Sequence, residues 1–148
     1  MSTTFHLAKP ADLDRLLALS AACHAELGLE RTEEQRIAGL APLLEGLPQG
    51  AVYLFGPARA PLGHMVLSFG WALAWPGMEA RIEEFFIRPP VRGRGIATEV
   101  LFALPRALGQ AGVAAMHVEL PPEAEDLRRL FSRGRFQPTG AERLTRRL

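Results

Sequence analysis

A chain of 148 residues is long enough for one hydrophobic core that buries roughly two thirds of the unfolded surface, and too short for two. Its 17 basic and 16 acidic side chains leave a formal net charge of +1, which gives no field for wrapping nucleic acid. With no apolar run of 18 residues and no basic-then-apolar leader, the chain reads as a single cytoplasmic domain over residues 1–148, away from membranes.

In chain order, a strand is expected at residues 4–8 and a helix at 11–27, with Leu13, Leu16, Leu17 and Leu27 on one stripe. Thr32-Glu33-Glu34-Gln35 has the form of a capping box and opens a second helix to about residue 45, strained by Pro42. Residues 51–55 and 62–73 are strands joined by the turn-rich segment 56–61, and Trp75-Pro76-Gly77 makes the next turn. A fourth strand follows at 79–88, then a helix at 95–108 kinked at Pro105, and a fifth strand at 113–120 apolar enough to be central. A last helix at 123–132 and one or two short closing strands from Phe136 onward complete the order.

Cys23 is the single cysteine, which excludes an internal disulfide and a Cys-type zinc site. A nucleophilic thiol would need a positioned base, and His24, adjacent on a helix, points in another direction, so Cys23 is read as a packing residue. His6, His24, His64 and His117 lack metal-ligand spacing and are read as packing or surface groups; no metal is implied.

The densest chemical signal is Arg92-Gly93-Arg94-Gly95-Ile96-Ala97, placed between a strand ending in Phe85-Phe86-Ile87 and a helix. Glycines there let the backbone approach a ligand, and the N–H groups and dipole of the following helix favour an anion. The dinucleotide fingerprint would need a glycine where Arg92 stands, and the phosphate loop of nucleotide hydrolases needs Gly-Lys-Ser/Thr, whereas Lys9 is the only lysine. Arg88, Arg92 and Arg94 flank the loop; Arg128, Arg129, Arg133 and Arg135 form either a solvated face or a second contact surface.

The pattern Arg92-x-x-Gly95-x-Ala97 resembles the acetyl-CoA signature of the GNAT family of N-acetyltransferases, and the order of elements is similar to that family's layout over almost the whole chain, most strongly over residues 81–136. Glu83-Glu84-Phe85-Phe86-Ile87, the loop, Met116-His117 and the terminal helix most resemble the diamine (spermidine/spermine) branch. The resemblance implies an α/β fold whose central sheet of six to seven strands, mixed but mostly antiparallel, is flanked by four helices and splayed between strands 4 and 5. It further implies acetyl-CoA as donor and the primary amine of a small molecule or peptide as acceptor. A homodimer is left open.

By the same resemblance, the backbone of Phe85, Phe86 and Ile87 pairs with the pantetheine arm, and Arg92, Gly93, Arg94, Gly95, Ile96, Ala97 and Thr98 hold the pyrophosphate. An alkyl ammonium, with a pKa near ~10.4, must lose a proton before it attacks, and Glu83 and Glu84 are the candidate bases. Consecutive strand residues face opposite sides, so at most one is expected in the cleft. Glu83 matches the substrate-contacting glutamate of the diamine branch and ranks first; alternatively both carboxylates pair with Arg81 or Arg88.

The receiving end departs from the family. Phe131 stands where its tyrosine general acid would be, Arg135 replaces a glycine, and Ala124 an asparagine. A missing general acid forgoes a typical factor of ~10² to 10⁴. Trp71 and Trp75, with His64, Phe69 and Glu79, could furnish an aromatic wall with an acid, suited to a cation. Three functions stay open: a transferase, a non-catalytic acyl-CoA-binding regulatory domain, and a toxin-type enzyme acting on aminoacyl-tRNA, which the near-neutral charge disfavours.

Overall fold

The computed structural model describes residues 3–148. After β1 (Phe5–Leu7) and one 3-10 turn come α1 (Leu13–Leu27), α2 (Glu33–Leu44), β2 (Gly50–Phe55), β3 (Gly63–Ala72) and β4 (Gly77–Ile87). A second 3-10 turn, Pro89–Val91, leads to α3 (Ile96–Gln110), β5 (Val113–Val118) and α4 (Glu125–Arg133). The strands form one mixed sheet in the order β1-β2-β3-β4-β5, antiparallel except for the parallel β4–β5 pair. This is the α/β fold expected, with five strands among the described residues in place of six to seven.

Local chemistry sets the helix ends. Gln35 N–H donates to Thr32 Oγ1 at 3.1 Å while Thr32 N–H donates to Gln35 Oε1 at 2.9 Å, so both arms of the capping box are made. Gly28 ends α1 with φ of 69°, and Leu29 N–H closes on His24 C=O at 2.9 Å. Leu27, assigned to the inner stripe by spacing, lies in that last turn and is 50% exposed; Leu16, Leu17, Leu19, Ser20, Cys23 and His24 form the buried face. Both α2 and α3 continue through their internal prolines, Pro42 and Pro105.

Each face of the sheet carries its own core. Helices α1 and α2 cover Val52, Leu54, Val66 and Phe86, whereas α3 and α4 cover Phe55, Met65, Leu67, Ala80 and Ile82. Two expectations fail at the far edge. Strand β5 is a sheet edge, pairing among the described residues with β4 alone, and residues 134–148 form no strand. Pro138 and the positive φ of Gly140 interrupt that segment, and its apolar Leu144 and Leu148 are exposed, so it lacks an alternating face to bury.

The register positions the site. Val66 pairs with Glu84 but Leu67 pairs with Ile82, so Glu83 is an extra residue and β4 carries a bulge there. Pairing of β4 with β5 stops at the adjacent step, Ile82 with Val118. From Glu83 to Ile87, β4 therefore runs free of β5, which is the expected splay.

Candidate active site

In an antiparallel pair, alternate residues turn both N–H and C=O toward the partner. Arg88 N–H bonds Leu62 C=O at 2.8 Å, which sets Glu84 and Phe86 toward β3 and leaves the main chain of Phe85 and Ile87 facing the splay. Their side chains pack at the same time. Phe85 meets Phe55 and Phe131 with ring centroids at 6.0 and 5.8 Å, and Phe86 and Ile87 are buried. Phe131, expected near substrate, is 3% exposed and edge-on to Phe136 at 5.2 Å, so it supports Phe85 from beneath rather than lining an open surface.

Beyond the splay, Gly93 and Gly95 take φ of 79° and 80°, and a Cβ built on either would meet no atom within 4 Å, so the space above the loop is open. Gly95 is the N-cap of α3 without any side-chain cap, and the first internal bond is Glu99 N–H to Gly95 C=O at 2.9 Å. The N–H groups of Ile96, Ala97 and Thr98 thus point outward at the positive end of a 15-residue helix. The side chain of Ile96 is buried in the α3 core while Arg94 is exposed. The side chain of Arg92 is engaged within the protein. Its Nη2 donates to both oxygens of Glu26 on α1 at 2.9 and 2.7 Å, and its Nε to Ile87 C=O at 2.8 Å.

The bulge overturns the expectation that Glu83 and Glu84 face opposite sides. Glu84 bonds His64 and Glu83 bonds Ser68, and His64 and Ser68 alternate onto the same face of β3. One extra residue resets the alternation, so both carboxylates lie on the α1 face. Their surroundings differ. Glu84 accepts from His24 Nε2 at 2.6 Å, His64 Nε2 at 2.8 Å and Ser20 Oγ at 3.0 and 3.3 Å, joining α1 to β3 and β4. Burial pushes its carboxyl upward, but the hydrogen bonds and charges of His64 and His24 outweigh this and hold it below the usual carboxylate range. Glu83 is exposed, with only longer contacts to Ser68 Oγ at 3.4 Å and Arg81 Nε at 3.5 Å.

Ser20 and His24 were not legible as site residues, although they stand at the i, i+4 spacing that shares a helix face, and His64 was read as part of the aromatic wall rather than as a partner of Glu84. His24 also lines a hollow of about 530 Å³ between α1 and α2, with Ala21, Ala25, Thr32, Gln35 and Arg36. Next to this cluster Cys23 is buried, and burial first, then the charges of Glu84 and Glu26, push its thiol up to about 12, so it stays protonated and packs.

The expected aromatic wall is divided by the pleat. Trp71 pairs with Met78 and alternates onto the α3 face, away from the carboxylates, and is 70% exposed. Trp75 stacks on His117 at 6.1 Å and 30°, and His117 Nε2 lies 2.7 Å from Glu79 Oε2. His117 pairs with Arg81, the neighbour of Glu83, so this group shares the carboxylate face. His64 is buried under Glu84, and Phe69 packs in the α3 core, so neither joins the wall. Among the described residues no cluster of His, Cys, Asp or Glu could hold a metal ion, and no helix is long and apolar enough to cross a membrane.

The architecture is shared with solved structures. An integron cassette protein from the mobile metagenome of Cole Harbour Salt Marsh superposes with a TM-score of 0.84 at 24% identity, over 97% of this chain and 90% of that one. A possible acetyltransferase from Clostridium difficile 630 gives 0.87 at 12% identity, over 100% and 99% of the two chains. The aminoglycoside N-acetyltransferase AAC(6')-Iy, solved with the bisubstrate analogue CoA-S-monomethyl-acetylneamine, gives 0.81 at 16% identity, over 100% and 99%. No curated protein sequence matches the chain. The model of the acetyltransferase (GNAT) family matches residues 15–134, from the first turn of α1 to the end of α4, and the chain belongs to that family.

Proposed function

We propose that this protein transfers the acetyl group of acetyl-CoA to a primary amine of a small molecule. The observation that carries the reading is the coincidence at Glu83 of a bulge, the end of β4–β5 pairing and an exposed carboxylate, one strand end away from an anion cradle. Main-chain groups of Phe85 and Ile87 suit the amide-bearing arm of the donor, and a fixed N–H in the splay suits a thioester carbonyl on which charge develops. The N–H groups from Gly93 to Thr98, with Arg92 and Arg94 nearby, suit its phosphates. Binding both reactants in one cleft adds proximity and orientation.

Glu83 is the carboxylate placed to meet an ammonium and take its proton, directly or through water. Glu84, with its oxygens committed to three internal donors, serves by holding α1 against the sheet. The hollow between α1 and α2, on the same face, and the Trp75–His117–Glu79 group offer room and polarity for the acceptor. The complexes of AAC(6')-Iy and the diamine-like phrase Glu83–Ile87 both favour an amine carried on a small molecule. A second reading, donor binding without efficient turnover, is favoured by Phe131, whose ring has no hydroxyl to protonate a departing thiolate.

Thermal melts with acetyl-CoA, followed by thiol-release assays on polyamines, amino acids and aminoglycosides, test both readings. A raised melting temperature with thiol release on at least one amine is expected. Stabilisation with no release on any amine would select the binding-domain reading, and no stabilisation would sink both.

A further inference from the structure

The guanidinium of Arg92 is divided between two settings. Its Nε is fixed on Ile87 C=O at 2.8 Å and its Cζ lies 5.4 Å from the centroid of the Phe86 ring, so the base of the side chain is anchored by β4. Its Nη2 reaches the other way, to Glu26 in the last turns of α1. This second contact is bidentate but wet, with side-chain exposures of 43% for Arg92 and 46% for Glu26. An exposed pair of this kind is worth a factor of a few in an equilibrium, and neither contact uses Nη1. The next residue in the chain, Gly93, begins the open cradle.

We propose that Glu26 is a built-in competitor for Arg92, an α1 carboxylate that holds the arginine tip until a phosphate on the cradle takes it. The inference rests on the donor-binding reading above. Glu26 takes up Nη2 alone and leaves Nη1 without a partner, so a phosphate oxygen competes for the same donors of one planar guanidinium, and the exchange needs only a turn of the side-chain torsions that carry that plane. A pyrophosphate carries more charge than Glu26 and sits at a helix N-terminus, which tips the exchange toward the ligand. Glu26 thereby lowers the affinity for the nucleotide end of the donor, and donor binding releases one of the ties that α1 makes to the β4–α3 loop. The separate tie of α1 to strand β4, through Ser20 and His24 to Glu84, stays in place.

Calorimetric titration with CoA, which binds without turnover, tests this on the parent, Glu26→Gln, Arg92→Gln and the double variant. Glu26→Gln should tighten CoA about two- to fivefold, the worth of an exposed ion pair. Arg92→Gln should weaken it, and in that background the gain from Glu26→Gln should fall away, because its route is through the arginine. Raising the salt should erode CoA affinity more steeply in Glu26→Gln than in Arg92→Gln. Unchanged or weaker CoA binding by Glu26→Gln would overturn the exchange and make the pair a strut for the loop. An undiminished gain in the Arg92→Gln background would overturn it as well, assigning the effect to simple repulsion. If the parent binds no CoA, the donor-binding reading itself fails, and that outcome is separate from a wrong sign at Glu26. Circular-dichroism melts of each variant guard against misfolding, which changes at two exposed side chains should not cause.

Discussion

Replacing Glu84 by alanine should cost more stability than any other single surface-to-core carboxylate change on this sheet, because three donors converge on it. His64 is fully buried and cannot turn to water, so its Nε2 loses an acceptor outright; His24 and the buried Ser20 have little more freedom. Each buried donor left unpaired costs about 1–3 kcal/mol. Taking His64 in the middle of that range and the other two at its low end gives about 4 kcal/mol, consistent with the cost of breaking a buried charged contact. At ~2–4 °C per kcal/mol for a domain of this size, the midpoint should fall by about 10 °C in a far-ultraviolet circular-dichroism melt. Glu83→Ala, an exposed change one residue away, should stay within ~0.5 kcal/mol of the parent. Acid titration supplies an independent readout. The folded carboxyl of Glu84 ionises below the usual range, so the unfolded chain binds the proton more readily. Its contribution is complete above the unfolded value of about 4.3 and drains away as pH falls from there through the lower folded value. The parent should therefore lose stability more steeply than Glu84→Ala as pH falls through and below the ordinary carboxylate range. Equal melting of the two alanine variants, or parallel acid limbs for Glu84→Ala and the parent, would refute the claim that this cluster pins α1 to the sheet.

Glu83→Gln should lower turnover of the best amine most at low pH, with the deficit narrowing as free amine accumulates, and a pH-independent deficit in steady-state rates would assign Glu83 to binding alone. Phe131→Tyr should raise kcat on that amine while leaving the titrated affinity for acetyl-CoA nearly unchanged, since a new hydroxyl would act as charge develops on sulfur; an unchanged kcat would mean it does not reach the splay. Arg135 holds φ of 69°, a left-handed conformation that costs a side chain about 1–2 kcal/mol, so Arg135→Gly should gain about 0.5–1 kcal/mol after glycine's own entropy loss, and a lower urea midpoint would contradict this.

Most elements were legible because their signals are local. Thr32 and Gln35 announce α2 by a reciprocal bond, Pro89 and Pro90 end β4, and Gly93 and Gly95 mark a loop between strand and helix. The closing strands expected from Phe136 onward did not form, and Pro138, Gly140 and the charged run that follows argue for the irregular segment found. Arg92 was placed correctly in the loop, but the direction of its guanidinium depends on Glu26, 66 residues earlier. His64 joins Ser20 and His24 only through Glu84, and no spacing in the chain announces a cluster drawn from a helix and two strands.

The least legible feature is also the most consequential. A regular strand would put Glu83 and Glu84 on opposite faces, and nothing in Ile82-Glu83-Glu84-Phe85 marks an extra residue. The bulge is decided by register against β3, where Leu67 faces Ile82 while Val66 faces Glu84. Once both acids share a face, alternation can no longer choose between them, and occupancy does. Glu84 meets two imidazoles and a hydroxyl from elements already packed over β4, so its lone pairs are filled from inside the protein. Glu83 sits where β5 has just left β4, with no strand or helix to cover it and only long contacts to Ser68 and Arg81. A single extra residue in β4 thus coincides with the end of β4–β5 pairing and sets an exposed carboxylate beside a half-buried one that ties α1 to the sheet, which is why a substitution at either acid is expected to read out on a different property of the protein.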